Sequence, residues 1–274
     1  MLFMELTPIL TVAAKEFRDR MRNRWVLAVA LVFTVFSLVI AYFGGAQQGQ
    51  VGFRSIEFTI ASLVSLVIYL IPLIALLLGF DAIVGERERG SLDLLLALPI
   101  TRLELLLGKY LGLALALSLS TVVGFGLVAV LLWRHMNANA LFHYGGFMLS
   151  SVLLGLAFLS LAVLISVLAR ERTRASGLAI ATWFFFVLVF DLLLLGLLVT
   201  TGGQFAGDSF AWLLLLNPAD VFRILNVFSL EDVRTLYGLA SVVPQSLGNP
   251  LTMGGVMAAW IALPLALANW RFKP

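Results

Sequence analysis

The chain has 274 residues, 61% of them hydrophobic and 12% charged, with a mean hydropathy of +1.05. Soluble domains carry about 25% charged residues, so this is the composition of an integral membrane protein, read as a single membrane domain over 1–274 with no tract long enough for a soluble one. The net charge of +3 rests on basic residues at the ends of apolar runs, a topology pattern rather than a nucleic-acid footprint; with no cysteine, disulfides, thiolate metal sites and a Cys nucleophile are excluded.

Thr7-Pro8 predicts a helix start, with Thr7 as N-cap and Pro8 at the first helical position. Leu6, Ile9, Leu10, Ala13, Phe17 and Met21 recur at helical spacing, and Lys15, Glu16, Arg18, Asp19, Arg20, Arg22 and Arg24 fill the rest. This predicts a basic amphipathic helix lying in the headgroup plane. The apolar run 25–43 is too long for a signal-peptide core and lacks a small-x-small cleavage site, so it reads as a retained first span. Further spans are expected at 58–80, 105–133, 147–169, 177–199 and 251–270, each long enough to cross a bilayer as a helix. The fold class is therefore all-α with six transmembrane helices.

Between spans 2 and 3 lies a charged elbow, 81–109. It opens with Glu86-Arg87-Glu88-Arg89 and Gly90, and continues into a short apolar helix, Ser91 to Leu98. Ser91 is the expected N-cap, Asp93 sits in the first turn where a negative charge suits the helix dipole, and Pro99 ends the helix. Another helix starts at Thr101 and runs through Glu104 into the next span. A short helix of this kind, apolar on one side and charged on the other, suits docking into a soluble partner.

Six spans put both termini on one side. That side carries fourteen Lys and Arg, in the N-terminal segment, the elbow, the 170–174 turn and the tail; the other carries four, Arg54, Arg134, Arg223 and Arg234. The positive-inside rule makes the termini and elbow cytoplasmic. Trp25, Trp133 and Trp270 fall at span ends, where an aromatic belt belongs.

The connection 200–250 is too long for a simple turn. Within it Asn217-Pro218-Ala219-Asp220 predicts a helix capped by Asn217, with Val221, Phe222, Leu225, Val227 and Phe228 on one side. It reads either as a lid on the bilayer or as a platform for a partner outside the membrane.

Few residues carry candidate chemistry. Gly108-Lys109 is followed by Tyr110, and no Gly lies five positions earlier, so it is not a P-loop; any ATP must be bound by another polypeptide. Gly108 and Gly112 have the spacing that permits close helix packing. His135, Met136 and His143 lie around 134–146, and imidazole with thioether can bind copper, yet the spacing lacks a metal motif; no metal or cofactor is assigned to this chain. Asp191 is the one ionisable residue inside a span. It reads either as a relay for protons or substrate, or as a structural hydrogen bond between helices.

The run Gly85-Glu86-Arg87-Glu88-Arg89-Gly90-Ser91-Leu92, with Pro99, Thr101-Arg102 and Gly108-Lys109 at fixed distances after it, resembles the intracellular loop of ABC-2 type permeases. The rest of the chain is similar to one branch of that family, which serves nitrous oxide reductase maturation. The similarity lies in Lys15-Glu16-Phe17-Arg18-Asp19, Arg22-Asn23-Arg24-Trp25, 49–53, 72–81 and Asn217-Pro218-Ala219-Asp220-Val221-Phe222-Arg223.

The resemblance implies an ABC-2 exporter-like (type V) fold in a bacterial inner membrane, with an N-terminal elbow helix and a coupling helix between spans 2 and 3. It implies a homodimer, two cytoplasmic ATPase subunits that hold ATP and Mg, a periplasmic β-helix-type partner, and a part in assembling the reductase's copper centres. Glu86, Arg87, Glu88, Arg89, Leu92, Leu95, Arg18 and Arg22 then become candidates for ATPase coupling. Asn217, Asp220, Phe222 and Arg223 become candidates for docking the periplasmic partner. On this reading, Lys at positions 86 and 88 releases the ATPase and leaves insertion intact. Two other classes stand beside it: an ABC exporter of a small solute, lipid or sulfur species, and a stand-alone secondary transporter.

Overall fold

The computed structural model describes residues 6–43, 56–133, 138–202, 212–227 and 249–272. Every regular element among them is helical. In chain order these are α1 (Leu6–Arg22), α2 (Trp25–Phe43), α3 (Ile56–Gly79), α4 (Val84–Glu88), α5 (Ser91–Leu96), α6 (Arg102–Leu132), α7 (Ala138–Leu168), α8 (Arg172–Phe184), a π turn (Phe185–Val189), α9 (Phe190–Thr200), α10 (Pro218–Val227) and α11 (Pro250–Arg271). Five helical stretches are each long and apolar enough to cross a membrane; α2 qualifies only together with α1, across a 63° bend. Arg24, with φ of 55°, sits in that bend.

Three helices make the centre. α3, α6 and α7 bury half or more of their apolar windows, and α2, α8 and α11 pack around them. The two ends of the bundle differ. At one, which we call the loop end, α1, α4 and α5 meet the start of α6 and the end of α7. At the other, the far end, an aromatic column runs through Phe33, Phe125, Phe147 and Phe222, with ring centroids 5.1, 5.2 and 6.2 Å apart in turn. Offset and edge-on contacts of this kind add to area burial, and here they join α2, α6, α7 and α10.

Local signals explain several element ends. Thr101 and Glu104 form a reciprocal capping box at the start of α6: the Thr101 amide donates to Glu104 Oε2 at 2.7 Å and the Glu104 amide to Thr101 Oγ1 at 3.2 Å. Asn217 Oδ1 accepts from the Ala219 amide at 3.0 Å and opens α10. α1 is already helical at Leu6, so Thr7 and Pro8 lie in its first turn, where proline's missing N–H is harmless. Ser91 departs from expectation. The cap of α5 is Gly90, left-handed with φ of 70°, because the Ser91 hydroxyl donates back to the Glu86 carboxylate. α7 starts at Ala138, so 138–146 is helical, and Tyr144 is buried there with its hydroxyl donating to the Phe125 carbonyl at 3.0 Å.

Candidate functional site

Three charged side chains meet beneath the loop end. Lys109, on the second turn of α6, is 4% exposed and donates to Glu16 Oε2 of α1 at 3.3 Å and to Glu86 Oε1 of α4 at 3.0 Å. One ammonium thus joins the amphipathic helix, the elbow and a membrane helix. Arg20 and Arg89 close the cluster from outside, on Glu16 and Glu86 respectively. A charge taken out of water is tolerated only when paired, and this one has two partners. α1 reaches Lys109 because α6 presents Gly108 and Gly112 to it. A Cβ on Gly108 would lie 2.6 Å from Val12 Cβ, and one on Gly112 would lie 2.6 Å from the Ala13 carbonyl. The buried stripe of α1 is accordingly Ile9, Ala13 and Glu16, while Leu6 and Leu10 are exposed.

α4 is pinned to the turn between α7 and α8. Ser166 Oγ accepts from the Ile83 and Val84 amides at 2.9 and 3.0 Å, a cap supplied from another helix. Arg87 Nη1 donates to the Ala169 carbonyl at 2.6 Å, where a cation suits the C-terminal end of α7. Glu88 Oε1 accepts from the Arg172 amide at 2.7 Å, and the Arg172 guanidinium pairs with Asp81 at 2.7 Å. A push on α4 therefore bears on α7 and α8 directly.

The residues predicted for coupling divide by exposure. Glu86 and Leu92 are buried; Arg87 and Leu95 are half-buried; Glu88, Arg89, Arg18 and Arg22 are exposed. The outward face of α5 and the residues after it carry Asp93, Leu94 (73% exposed), Ala97 and Leu98 (54%). Leu94 and Leu98 were not singled out in the sequence; Leu94 lies on α5 and Leu98 two residues past its end. Glu86 belongs to the Lys109 cluster, so the Lys substitution at 86 would break that cluster as well as alter the surface.

At the far end, Asp191 at the start of α9 accepts from Arg223 Nη2 of α10 at 3.1 Å. Arg223 also pairs with Asp220, which accepts from Asn217 Nδ2 at 2.9 Å, and Asn217 Nδ2 donates to the Phe186 carbonyl in the π turn at 2.9 Å. Asn226 Nδ2 donates to Ser150 Oγ of α7 at 2.9 Å and seats the other end of α10. Burial pushes the Asp220 carboxyl above its ordinary range; Arg223 opposes the shift and the Asp191 charge adds to it. Of the four residues read as a docking patch, Asn217, Asp220 and Phe222 are buried against the bundle and Arg223 alone is part-exposed. Side chains so buried orient α10; they do not face outward.

The Asp191 to Arg223 pair is about 40% exposed on both sides, 39% and 40%, so its own worth is about 1 kcal/mol or less. Asp191→Asn is expected to cost little stability and to leave any ion flux unchanged, with thermal unfolding and a proton-flux assay as the readouts. Abolished proton-driven flux with normal unfolding would make Asp191 a relay instead.

His143 lies on the first turns of α7, its ring 5.9 Å from that of Phe142; His135 and Met136 lie outside the described residues, as do Arg54, Phe228 and Arg234. Among the described residues no group of three or more His, Cys, Asp or Glu stands close enough to hold a metal ion.

Apolar helices long enough to span, with the ionic residues gathered at the two ends of the bundle, define a multi-pass membrane protein. Residues 10–274 match the family described as ABC-2 family transporter protein, and the chain belongs to that family. It is 45% identical over 272 residues to "Probable ABC transporter permease protein NosY" of Stutzerimonas stutzeri, covering 98% of this chain and 99% of that one. It is 46% identical over 270 residues to a protein of the same name from Pseudomonas aeruginosa, covering 96% and 97%.

Proposed function

We propose that this chain is the permease subunit of an ABC transporter, driven by a separate cytoplasmic ATPase that binds ATP and Mg, with two copies of the permease forming the membrane part. The observation that carries the reading is the pairing of an exposed apolar face, Leu94 and Leu98, with a rigid footing. Lys109 ties that footing to α1, and Ser166 and Arg172 tie it to α7 and α8. The distribution of Lys and Arg supports a cytoplasmic loop end, and the family supports an ATPase partner and a dimer. The thinly buried α8 and α9 offer a face for a second copy.

The work done is mechanical. Closure of the ATPases pushes α5 and α4. The load enters α8 at Arg172, climbs through the π turn and α9 to Asp191, and passes by Arg223 to α10. Arg18 and Arg22 of α1 border the same ATPase. At the far end, the 200–250 connection meets a periplasmic partner of the β-helix type. The likeness to the nitrous oxide reductase branch supports a part in assembling that enzyme's copper centres, in the bacterial inner membrane with both termini cytoplasmic.

Leu94→Arg with Leu98→Arg is expected to reduce capture of the ATPase subunit at least about tenfold in a pull-down, a change of roughly 1.4 kcal/mol, while membrane insertion stays normal. Undiminished capture would overturn the coupling role of α5.

The exporter reading has one observation in its favour. A cavity of about 530 Å³ opens at the far end between α7, α10 and α11, mostly apolar but with His143, Ser150 and Asn226 on its wall. Stimulation of ATPase activity by a small solute, without the periplasmic partner, would favour that reading over the mechanical one.

A further inference from the structure

A second cavity, of about 590 Å³, lies at the loop end, within the roughly 300–1,000 Å³ typical of small-ligand sites. Its wall is amphipathic. Arg87, Arg170 and Arg271 come to it from three different elements, with Asp93 as the single carboxylate, and Leu92 and Leu168 supply apolar surface.

The neighbouring acids are already engaged elsewhere: Glu88 takes the Arg172 amide, Glu171 pairs with Arg174, and Asp81 pairs with Arg172. Arg170 is exposed and carries no ion pair among the described residues. Arg87 spends one nitrogen on the end of α7 and keeps the remainder of its fork free. Arg271 stacks on Trp270, its Cζ 4.7 Å from the ring centroid, and Trp270 is 69% exposed on the last turn of a spanning helix. An exposed tryptophan in that position marks the headgroup level of a bilayer.

We propose that this cavity binds a phosphate group, and that the group is the headgroup phosphate of an anionic phospholipid. Guanidinium forks match phosphate oxygens in geometry as well as charge, and basic pockets between membrane helices hold anionic headgroups. Leu168, 53% exposed at the end of α7, gives the glycerol and first acyl carbons an apolar wall. Leu92 and Asp93 of α5 reach the cavity, while Leu94 and the following Leu98 do not line it. The assignment needs only that the loop end lies at a membrane surface, so it stands apart from the coupling reading.

The test uses the full-length protein purified in detergent, offered phosphatidylglycerol or phosphatidylcholine, with retained lipid counted by native mass spectrometry. The wild type is expected to prefer phosphatidylglycerol by roughly tenfold. Arg170→Gln with Arg271→Gln should erase the preference without changing the thermal midpoint, and Arg170→Gln alone should weaken it if the pair fails to fold. Equal retention of the two lipids by the wild type, or an undiminished preference in the folded variants, would overturn the site. Displacement of the lipid by millimolar inorganic phosphate would overturn the lipid assignment in favour of a soluble anion. Loss of ATPase-subunit capture with lipid retained would instead give these arginines to a protein contact and sink the proposal.

Discussion

Lys109→Met is expected to lower stability by about 3 kcal/mol, because it leaves two buried carboxylates, Glu16 and Glu86, without the cation between them and with only the outer Arg20 and Arg89 to offset their charge. The loss would appear in thermal unfolding of the detergent-solubilised protein. On the proposed mechanism it would also appear as uncoupling, since α1 and α4 lose a side chain that bonds to both. The cause can be isolated. Adding Glu16→Gln and Glu86→Gln to Lys109→Met removes the uncompensated charges, and most of the lost stability should return although the bridge is still absent. A triple variant as unstable as the single one would show that packing around the lysine stem, not its charge, holds the loop end together.

Gly112→Leu should be nearly as damaging, for a steric reason. Any Cβ at 112 falls 2.6 Å from both the Ala13 carbonyl and Glu16 Cβ. The obstacle is helix backbone, which cannot turn aside as a side chain can. Overpacking commonly costs about 1–3 kcal/mol, and relief here requires α1 to lift away from α6, which also breaks the Lys109 contact to Glu16. The expected readout is faster proteolysis at the basic residues of α1. Gly126→Leu on the same helix is the control: nothing lies within 4 Å of a Cβ there, and protease resistance should be unchanged. Equal sensitivity of the two variants would mean that α1 does not depend on the groove.

Much of the helical frame could be read from composition and spacing, because spans, caps and breakers are local signals. The α6 capping box lies within four residues, and Asn217-Pro218 opens α10 by the same short-range logic. What joins the helices was not legible in the same way. Lys109 and Glu16 are 93 residues apart, and a period of 3.6 says nothing about pairing at that distance. A trace did exist. Glu16 lies three residues after Ala13 and seven after Ile9, so it sits on the apolar stripe of α1, where an acid demands a partner. Gly108 and Gly112 were visible as a pair, but only the structure assigns α1 as the helix that fills their groove. The exposed side of α5 was obscured because Leu92, Leu94, Leu95 and Leu98 look alike in a leucine-rich run; burial separates them.

The two ionic links described above are unequal, and that inequality sets how force is shared. The lysine link is sealed from water and resists salt, while the Asp191 to Arg223 link stands half in solvent, where counterions reach it. The bundle is therefore stiffer at the loop end than at the far end. If the proposed drive enters at the loop end, the far joint would yield first under excess load, like a fuse, and reset once the load is gone.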